Sequence, residues 1–212
     1  MLKKSLTILL LFIGYTLQAQ IDAGISDSAA LYLQKGLDEK QKGRRMESLK
    51  HFEKAASLQI NHPRITSELA DAYFDLRKYA QAWETYKKLE SLNGFSAGSY
   101  QKMMELSFNM RKFEDVVDYA NKFKKADPQA KVSYYIGKSY YLQDHYGEAL
   151  RHLNQAAKEE PKNAEIPYMI ARSYADMQNY KQSIPFFKKA IESDTTKHHW
   201  VYELGLIYYA IH

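Results

Sequence analysis

The chain has 212 residues, of which 45% are hydrophobic, so it is long enough and apolar enough to bury a core and is not a disordered chain. Its formal net charge is +5, and basic residues alternate with acidic ones, as in KHFEKA, which argues against nucleic acid as a partner. The chain has no cysteine, which excludes disulfides and cysteine-ligated zinc sites. Helix-forming residues are frequent, so an all-α fold is expected.

The N-terminal residues have the composition of a secretory signal peptide. Two lysines precede an apolar run that ends at Leu17, and Ala19 stands at a suitable cleavage position. The alternative is an uncleaved membrane anchor, which needs about 20 apolar residues, whereas this run has roughly a dozen. We therefore predict a signal peptide over residues 1–19 and a linker over residues 20–28. The prediction implies export, without membrane insertion once the signal is removed. A signal peptide on a cysteine-free, moderately basic chain fits a Gram-negative bacterium, so we expect the periplasm or cell envelope.

After the linker, the sequence repeats with a period of 34 residues. A shift of that length superimposes Tyr140, Tyr174 and Tyr208 on one another. Such a period is typical of arrays whose unit is a pair of helices, here of about 13 residues each. We divide residues 29–212 into five repeats and part of a sixth: 29–62, 63–96, 97–129, 130–163, 164–197 and 198–212. The first helix of each complete repeat is expected to end near Gly43, Arg77, Arg111, Asp144 or Gln178.

Within the repeats, small and large side chains recur at fixed positions. Small residues such as Gly137 occupy the eighth position, where two helices approach, and bulky residues such as Leu153 occupy the twenty-fourth. Aromatic residues recur at the eleventh and seventeenth positions, although the first repeat has Glu39 and Arg45 there, and the third has Met104 at the eighth. The pattern resembles the tetratricopeptide repeat family. The resemblance implies an all-α, right-handed superhelical solenoid of antiparallel helix pairs that binds proteins or peptides.

In that family, extended ligands lie along a concave wall formed by positions 2, 5, 9, 12 and 13 of the first helices. The resemblance implies a peptide-binding groove at Phe74, Phe108, Tyr134, Lys138, Tyr141, Tyr168, Arg172, Tyr202 and Tyr209. Tyrosine and arginine are frequent binding anchors, and Lys138 and Arg172 would receive the carboxylates of an acidic peptide or a chain terminus. The alternative for any single aromatic residue is that it only fills space between neighbouring helix pairs.

The last stretch, residues 198–212, has the features of a first helix of a sixth repeat. Gly205 and Tyr208 stand at positions that receive a second helix. Two interpretations stay open: a truncated or continued array, and a terminal cap that packs on the fifth repeat. In the first case, Leu204, Tyr208 and Ile211 would be partly exposed and would form a surface for self-association as an end-to-end homodimer.

The sequence contains no pattern typical of catalysis. Its seven histidines include no pair with the i, i+4 spacing that places two metal ligands on one helix face, and it has no glycine-rich phosphate loop. We therefore expect no catalytic residues, no metal site, no cofactor and no enzyme activity. The predicted function is a non-enzymatic protein- or peptide-binding scaffold of the bacterial envelope. Two alternatives stay open: the N-terminal adaptor region of a larger, truncated envelope assembly or secretion protein, and an accessory subunit of an enzyme.

Overall fold

The computed structural model describes residues 24–211, so the predicted signal peptide and residues 20–23 of the predicted linker lie outside the described residues. Within residues 24–211 the chain forms eleven α-helices and no strand, which confirms the all-α prediction. The helices are α1 (Asp27–Gln41), α2 (Arg45–Leu58), α3 (Pro63–Asp75), α4 (Tyr79–Ser91), α5 (Ala97–Asn109), α6 (Phe113–Ala126), α7 (Ser133–Tyr141), α8 (Tyr146–Glu159), α9 (Glu165–Asp176), α10 (Tyr180–Ser193) and α11 (His198–Ala210).

Helix α1 begins inside the segment that was predicted as linker. Asp27 and Ser28 belong to its first turn, where the negative charge of Asp27 interacts favourably with the helix dipole. The preceding residues are held by the end of α2: the Gln59 side chain accepts a hydrogen bond from the Ser26 amide and donates one to the Gly24 carbonyl. Helix α1 therefore begins two residues before the first predicted repeat.

Successive helices form hairpins. Helix α1 packs mainly on α2, and the same holds for α3 with α4, α5 with α6, α7 with α8, and α9 with α10, while α11 packs on α10. We call α1, α3, α5, α7, α9 and α11 the first helices and the others the second helices. The chain divides between Phe95 and Ser96 into two compact bodies. The N-terminal body contains α1–α4, and the C-terminal body contains α5–α11.

Each hairpin turn is made by one residue in the left-handed region. These residues are Gly43 (φ 73°), Arg77 (φ 56°), Arg111 (φ 57°), Asp144 (φ 60°) and Gln178 (φ 59°). In the turn after α3, the Arg77 amide donates to the Phe74 carbonyl and the Lys78 amide donates to the Tyr73 carbonyl, both at 2.9 Å. These bonds satisfy carbonyls at the end of the helix, so the chain can reverse direction within a few residues and return the second helix to the first.

Each body has its own apolar core. In the N-terminal body, Leu49 and Phe52 of α2 are buried together with Leu33 of α1 and Ile65 of α3. In the C-terminal body, one core cluster joins Leu153 of α8 to Ile166, Met169 and Ile170 of α9. Spacings of three and four residues place such side chains on one face of each helix. Burial of one of them stabilises the fold by about 1.5–3 kcal/mol.

The eighth residue of a repeat sets how closely its two helices pack. A Cβ atom added to Gly36 of α1 would overlap the Phe52 ring of α2. A Cβ atom added to Gly137 of α7 would lie 2.8 Å from Leu153 Cγ and 3.0 Å from the Leu153 backbone nitrogen of α8. Gly205 has the same repeat position in α11, but a Cβ atom there would meet nothing within 4 Å. The eighth residue therefore packs against a second helix in the first and fourth repeats, whereas in α11 it faces open space.

This difference predicts opposite effects of the same substitution. Gly137→Ala should lower the free energy of unfolding by about 1–3 kcal/mol, because the added methyl group overpacks the interface with α8. Gly205→Ala should leave it unchanged or raise it by up to about 1 kcal/mol, because alanine has the higher helix propensity and no neighbour is displaced. Urea unfolding followed by circular dichroism measures both, and equal losses in the two variants would contradict the packing described here.

Candidate functional site

The first helices of the C-terminal body carry aromatic and charged side chains that contact one another from helix to helix. We call this surface the A-helix wall. Tyr134 and Lys138 of α7 are four residues apart, as are Tyr168 and Arg172 of α9, so each pair lies on one helix face. The wall consists of Phe108, Tyr134, Lys138, Tyr141, Glu165, Tyr168, Arg172, Asp176 and Glu203.

The ammonium group of Lys138 lies between aromatic rings and a carboxylate. Its Nζ is 5.6 Å from the centre of the Phe108 ring and 5.3 Å from the centre of the Tyr134 ring. It donates a hydrogen bond to Tyr134 Oη at 3.0 Å and lies 3.4 Å from Glu165 Oε2. The Tyr134 hydroxyl donates to the same Glu165 oxygen at 2.8 Å. Tyrosine, lysine and glutamate thus form a closed triad between α7 and α9.

One repeat further, Arg172 has an equivalent environment. The Tyr168 hydroxyl donates to Glu203 Oε1 at 2.9 Å, and Arg172 Nη1 donates to Tyr168 Oη at 3.4 Å. Arg172 Nε lies 3.7 Å from Glu203 Oε2. The arrangement of tyrosine, cation and carboxylate therefore recurs, and in both cases the carboxylate comes from the next first helix.

A third contact lies between the two triads. The Tyr141 hydroxyl of α7 donates to Asp176 Oδ2 of α9 at 2.6 Å. The Arg172 guanidinium is 5.6 Å from the centre of the Tyr141 ring, and its Nη2 is 3.9 Å from Asp176 Oδ2. The Tyr141 ring therefore stands half-buried on the wall with its hydroxyl already bonded.

The environment of the wall shifts the pKa values of its groups. Burial raises the pKa of Glu165, but the hydrogen bond from Tyr134 and the charge of Lys138 lower it more, so the net pKa lies below the usual range. Burial and donation to a carboxylate both raise the pKa of Tyr134 and of Tyr141. Two cations face three carboxylates, Glu165, Asp176 and Glu203, so the wall has a formal charge of 2 − 3 = −1.

Six of the nine groove residues predicted from the sequence lie together on the A-helix wall: Phe108, Tyr134, Lys138, Tyr141, Tyr168 and Arg172. Phe74 belongs to the N-terminal body, where its ring centre is 6.3 Å from that of Tyr79. Tyr202 and Tyr209 lie on α11 and are 69% and 86% exposed.

The residues that sequence reasoning missed are the carboxylates. Lys138 and Arg172 were expected to receive carboxylates from a ligand, but in the structure each one already contacts a carboxylate of this chain. A signal for two of these acids was present, because Glu165 and Asp176 stand at the second and thirteenth positions of their repeat, both on the predicted wall. Glu203 stands at the sixth position, which the family pattern does not place there.

The predicted self-association residues lie on α11. Tyr208 is exposed, while Leu204 and Ile211 are half-buried. A homodimer through these residues stays a prediction.

Residues 24–211 contain no cluster of three or more histidine, aspartate or glutamate side chains that could hold a metal ion. No helix of that range has the length and the apolar character needed to cross a membrane.

Comparison with known proteins identifies the repeats. Residues 33–97 match the model of the tetratricopeptide repeat, and residues 109–190 match the model of anaphase-promoting complex, cyclosome, subunit 3. The chain contains tetratricopeptide repeats. Anaphase-promoting complex subunit 3 of Schizosaccharomyces pombe is 23% identical to it over 163 residues. That match covers 76% of this chain, which spans only 24% of the length of the relative.

Solved structures of tetratricopeptide repeat proteins have the same fold. A MamA chain from Desulfovibrio magneticus RS-1 that starts at residue 41 matches with a TM-score of 0.71 and 15% identity, over 82% of this chain and 99% of that MamA chain. YrrB, a tetratricopeptide repeat protein with an unusual peptide-binding site, matches with a TM-score of 0.74 and 13% identity, over 88% of this chain and 96% of YrrB. At these identities the likeness shows the fold alone.

The hydrogen-bonded tyrosines predict a loss of stability in alkali. A tyrosine has a pKa near 10 in an unfolded chain, and those of Tyr134 and Tyr141 are raised in the fold. Because the unfolded state releases these protons first, the stability that they contribute is complete below about pH 10 and is lost as the pH rises above it. Urea unfolding at pH 8 and pH 11 should show a smaller loss for a Tyr134→Phe, Tyr141→Phe variant than for the unchanged chain. Other alkaline titrations contribute equally to both proteins, so an identical loss would contradict the prediction.

Proposed function

We propose that this protein is a non-enzymatic scaffold that binds an extended segment of another protein along the A-helix wall. The observation that carries the proposal is the set of half-buried rings of Phe108 on α5 and of Tyr134 and Tyr141 on α7, two successive first helices. Large aromatic surfaces of this kind are frequent anchors of protein interfaces. The peptide-binding site of YrrB, a protein of the same fold, adds support.

The wall is suited to a ligand with apolar or cationic side chains. An acidic ligand would have to displace Glu165 from Lys138 or Glu203 from Arg172, and the wall already has one more carboxylate than it has cations. Lys138 and Arg172 already lie over these rings, so a ligand would contact the part of each ring that stays exposed, and apolar as well as cationic groups interact favourably with aromatic surfaces. The hydroxyls of Tyr134 and Tyr141 hold their rings in place, which reduces the entropy lost on binding. This ligand differs from the acidic peptide expected from the sequence.

Selection of peptides from a random display library against the full chain tests the proposal. We expect the enriched peptides to be rich in apolar, lysine and arginine residues. Tyr141→Ala should weaken their binding by roughly tenfold or more, because it removes a central anchor. Tyr180→Ala, on the second helix α10, is the matched control and should leave the affinity unchanged. Fluorescence anisotropy of labelled peptides measures the dissociation constants.

Selected peptides that bind equally well to the unchanged chain and to Tyr141→Ala would contradict a role for the wall. Enrichment of aspartate and glutamate would contradict the proposed ligand class and would support the acidic peptide.

We also propose that residues 1–19 direct export to the periplasm or cell envelope of a Gram-negative bacterium. The proposal rests on the lysines, the short apolar run and Ala19. Expression in a Gram-negative host should yield a periplasmic protein whose N-terminal residue is Gln20. A variant with glutamate in place of Lys3 and Lys4 should remain unprocessed in the cytoplasm. An unprocessed wild-type chain in the membrane fraction would favour the anchor, and one in the cytoplasm would exclude export.

A further inference from the structure

Helix α11 exposes an unusually apolar surface. Eleven large hydrophobic residues are exposed in residues 24–211, and five of them lie on this helix: Val201, Tyr202, Leu206, Tyr208 and Tyr209. Trp200 is the one residue of α11 that is fully buried. Glu203, the one carboxylate of α11, contacts Tyr168 and Arg172 of α9. Val201 and Tyr208 are seven residues apart and therefore lie on one face of α11, which differs from the face of Glu203.

The equivalent surfaces of α7 and α9 are covered by the second helix of their own repeat. At the eighth position, Gly137 of α7 and Ala171 of α9 are buried, whereas Gly205 of α11 is exposed. At the fourth position, Ser133 and Pro167 are buried, whereas Val201 is 52% exposed.

The eleventh position shows which kind of group is missing. In α7, the Tyr140 ring stacks on His152 of α8 at 5.6 Å between ring centres. In α9, the Tyr174 ring stacks on Phe186 of α10 at 5.7 Å. Tyr208 of α11 has the same repeat position and is 36% exposed. A planar ring on an incoming helix would restore the stack that the two preceding repeats contain.

The helices α8 and α10, which cover α7 and α9, share one arrangement of side chains. The arrangement spans eight positions. Small residues stand at the first and eighth, a residue with a planar ring at the fourth, and a bulky residue at the fifth. The members are Ala149, His152, Leu153 and Ala156 in α8, and Ser183, Phe186, Phe187 and Ala190 in α10. Helix α2 of the first repeat has the same arrangement with Ser48, His51, Phe52 and Ala55. The bulky residue occupies the space beside the eighth position, as Leu153 does beside Gly137 and Phe52 beside Gly36.

We propose that the exposed face of α11 around Val201, Gly205 and Tyr208 is a docking site for one amphipathic helix of a partner protein. The partner helix carries the arrangement small, x, x, ring, bulky, x, x, small, with its bulky side chain beside Gly205 and its ring on Tyr208. The face continues the row of interfaces between first and second helices, so the chemistry of its occupant follows from α8 and α10. The inner face of the partner helix is uncharged. Lys188 of α10 lies 6.0 Å from the Tyr208 ring and favours a carboxylate at the adjoining edge of the partner.

A peptide with the sequence of α2, residues 45–58, is a suitable probe, because its Phe52 fills the space beside Gly36 and it contains no proline. Fluorescence anisotropy of the labelled peptide should show saturable binding to the full chain. The peptide with Phe52→Ala should bind at least roughly tenfold more weakly, since it lacks the group that fills the space.

Two variants of the chain test whether the peptide binds at the exposed face of α11. Gly205→Leu should weaken binding of the unchanged peptide by roughly tenfold or more, because the leucine side chain occupies the docking space. Gly147→Leu is the matched control: it also lies in a helix, a Cβ atom there meets nothing within 4 Å, and binding should be unchanged. Tyr141→Ala should also leave binding of this peptide unchanged. The two experiments therefore distinguish failure of the proposed docking site on α11 from failure of the proposed binding site on the A-helix wall.

An isolated peptide must form its helix on binding, which weakens its affinity. A second measurement avoids this difficulty by adding a copy of residues 42–58 after His212, where its effective concentration is in the millimolar range. The thermal midpoint should rise by about 2–4 °C or more relative to the same fusion with Phe52→Ala in the copy.

Three outcomes would overturn the proposal. Absence of peptide binding together with an unchanged thermal midpoint would mean that α11 is a cap that needs no partner. Binding that persists in Gly205→Leu would place the peptide elsewhere, for example in exchange with α2. Without peptide binding, a dimer in light scattering that Gly205→Leu converts to a monomer would show that a second copy of the chain occupies the face.

Discussion

The close approach of two helices at the eighth position of a repeat is the constraint on which this structure depends. Gly137 brings the α7 backbone so near to α8 that Leu153 fills the space of the missing side chain. In the first repeat, Ser48 of α2 also approaches closely enough to donate a hydrogen bond to the Gly36 carbonyl at 2.9 Å. The short left-handed turns make this approach possible, because they return the chain within three or four residues.

The spacing within each pair determines where the next first helix lies, and this creates the A-helix wall. Tyr134 and Lys138 can share Glu165 only because α9 is held beside α7 by the intervening second helix. The same geometry one repeat later places Glu203 beside Tyr168 and Arg172. Partly exposed ion pairs contribute little stability individually, so their main effect is to hold the rings in one orientation. A surface ordered in advance is well suited to binding a flexible segment.

Helix α11 illustrates how a repeat array separates two kinds of surface. Its side toward α9 contributes a carboxylate to the wall, as α9 does for α7. Its other side has the residues that would receive a second helix, with Gly205 and Val201 exposed where their equivalents are buried. Each repeat in such an array gains its stability from neighbours, so a first helix with an uncovered face retains the shape and chemistry of a binding surface.

The sequence by itself determined the local features of this protein. The 34-residue period, the small residue at the eighth position and the residues at the turns depend on contacts within one repeat, and each leaves a recurring mark in the sequence. Aromatic and basic members of the wall could be named for the same reason. The pairing of Lys138 with Glu165 and of Arg172 with Glu203 was decided by the tertiary structure alone. The two residues of a pair lie on different helices, 27 positions apart in one case and 31 in the other. The two glutamates also occupy different repeat positions, so the 34-residue period does not reveal the pairs. Whether a cation is available to a ligand depends on such long-range distances, which exist only once the helices are stacked.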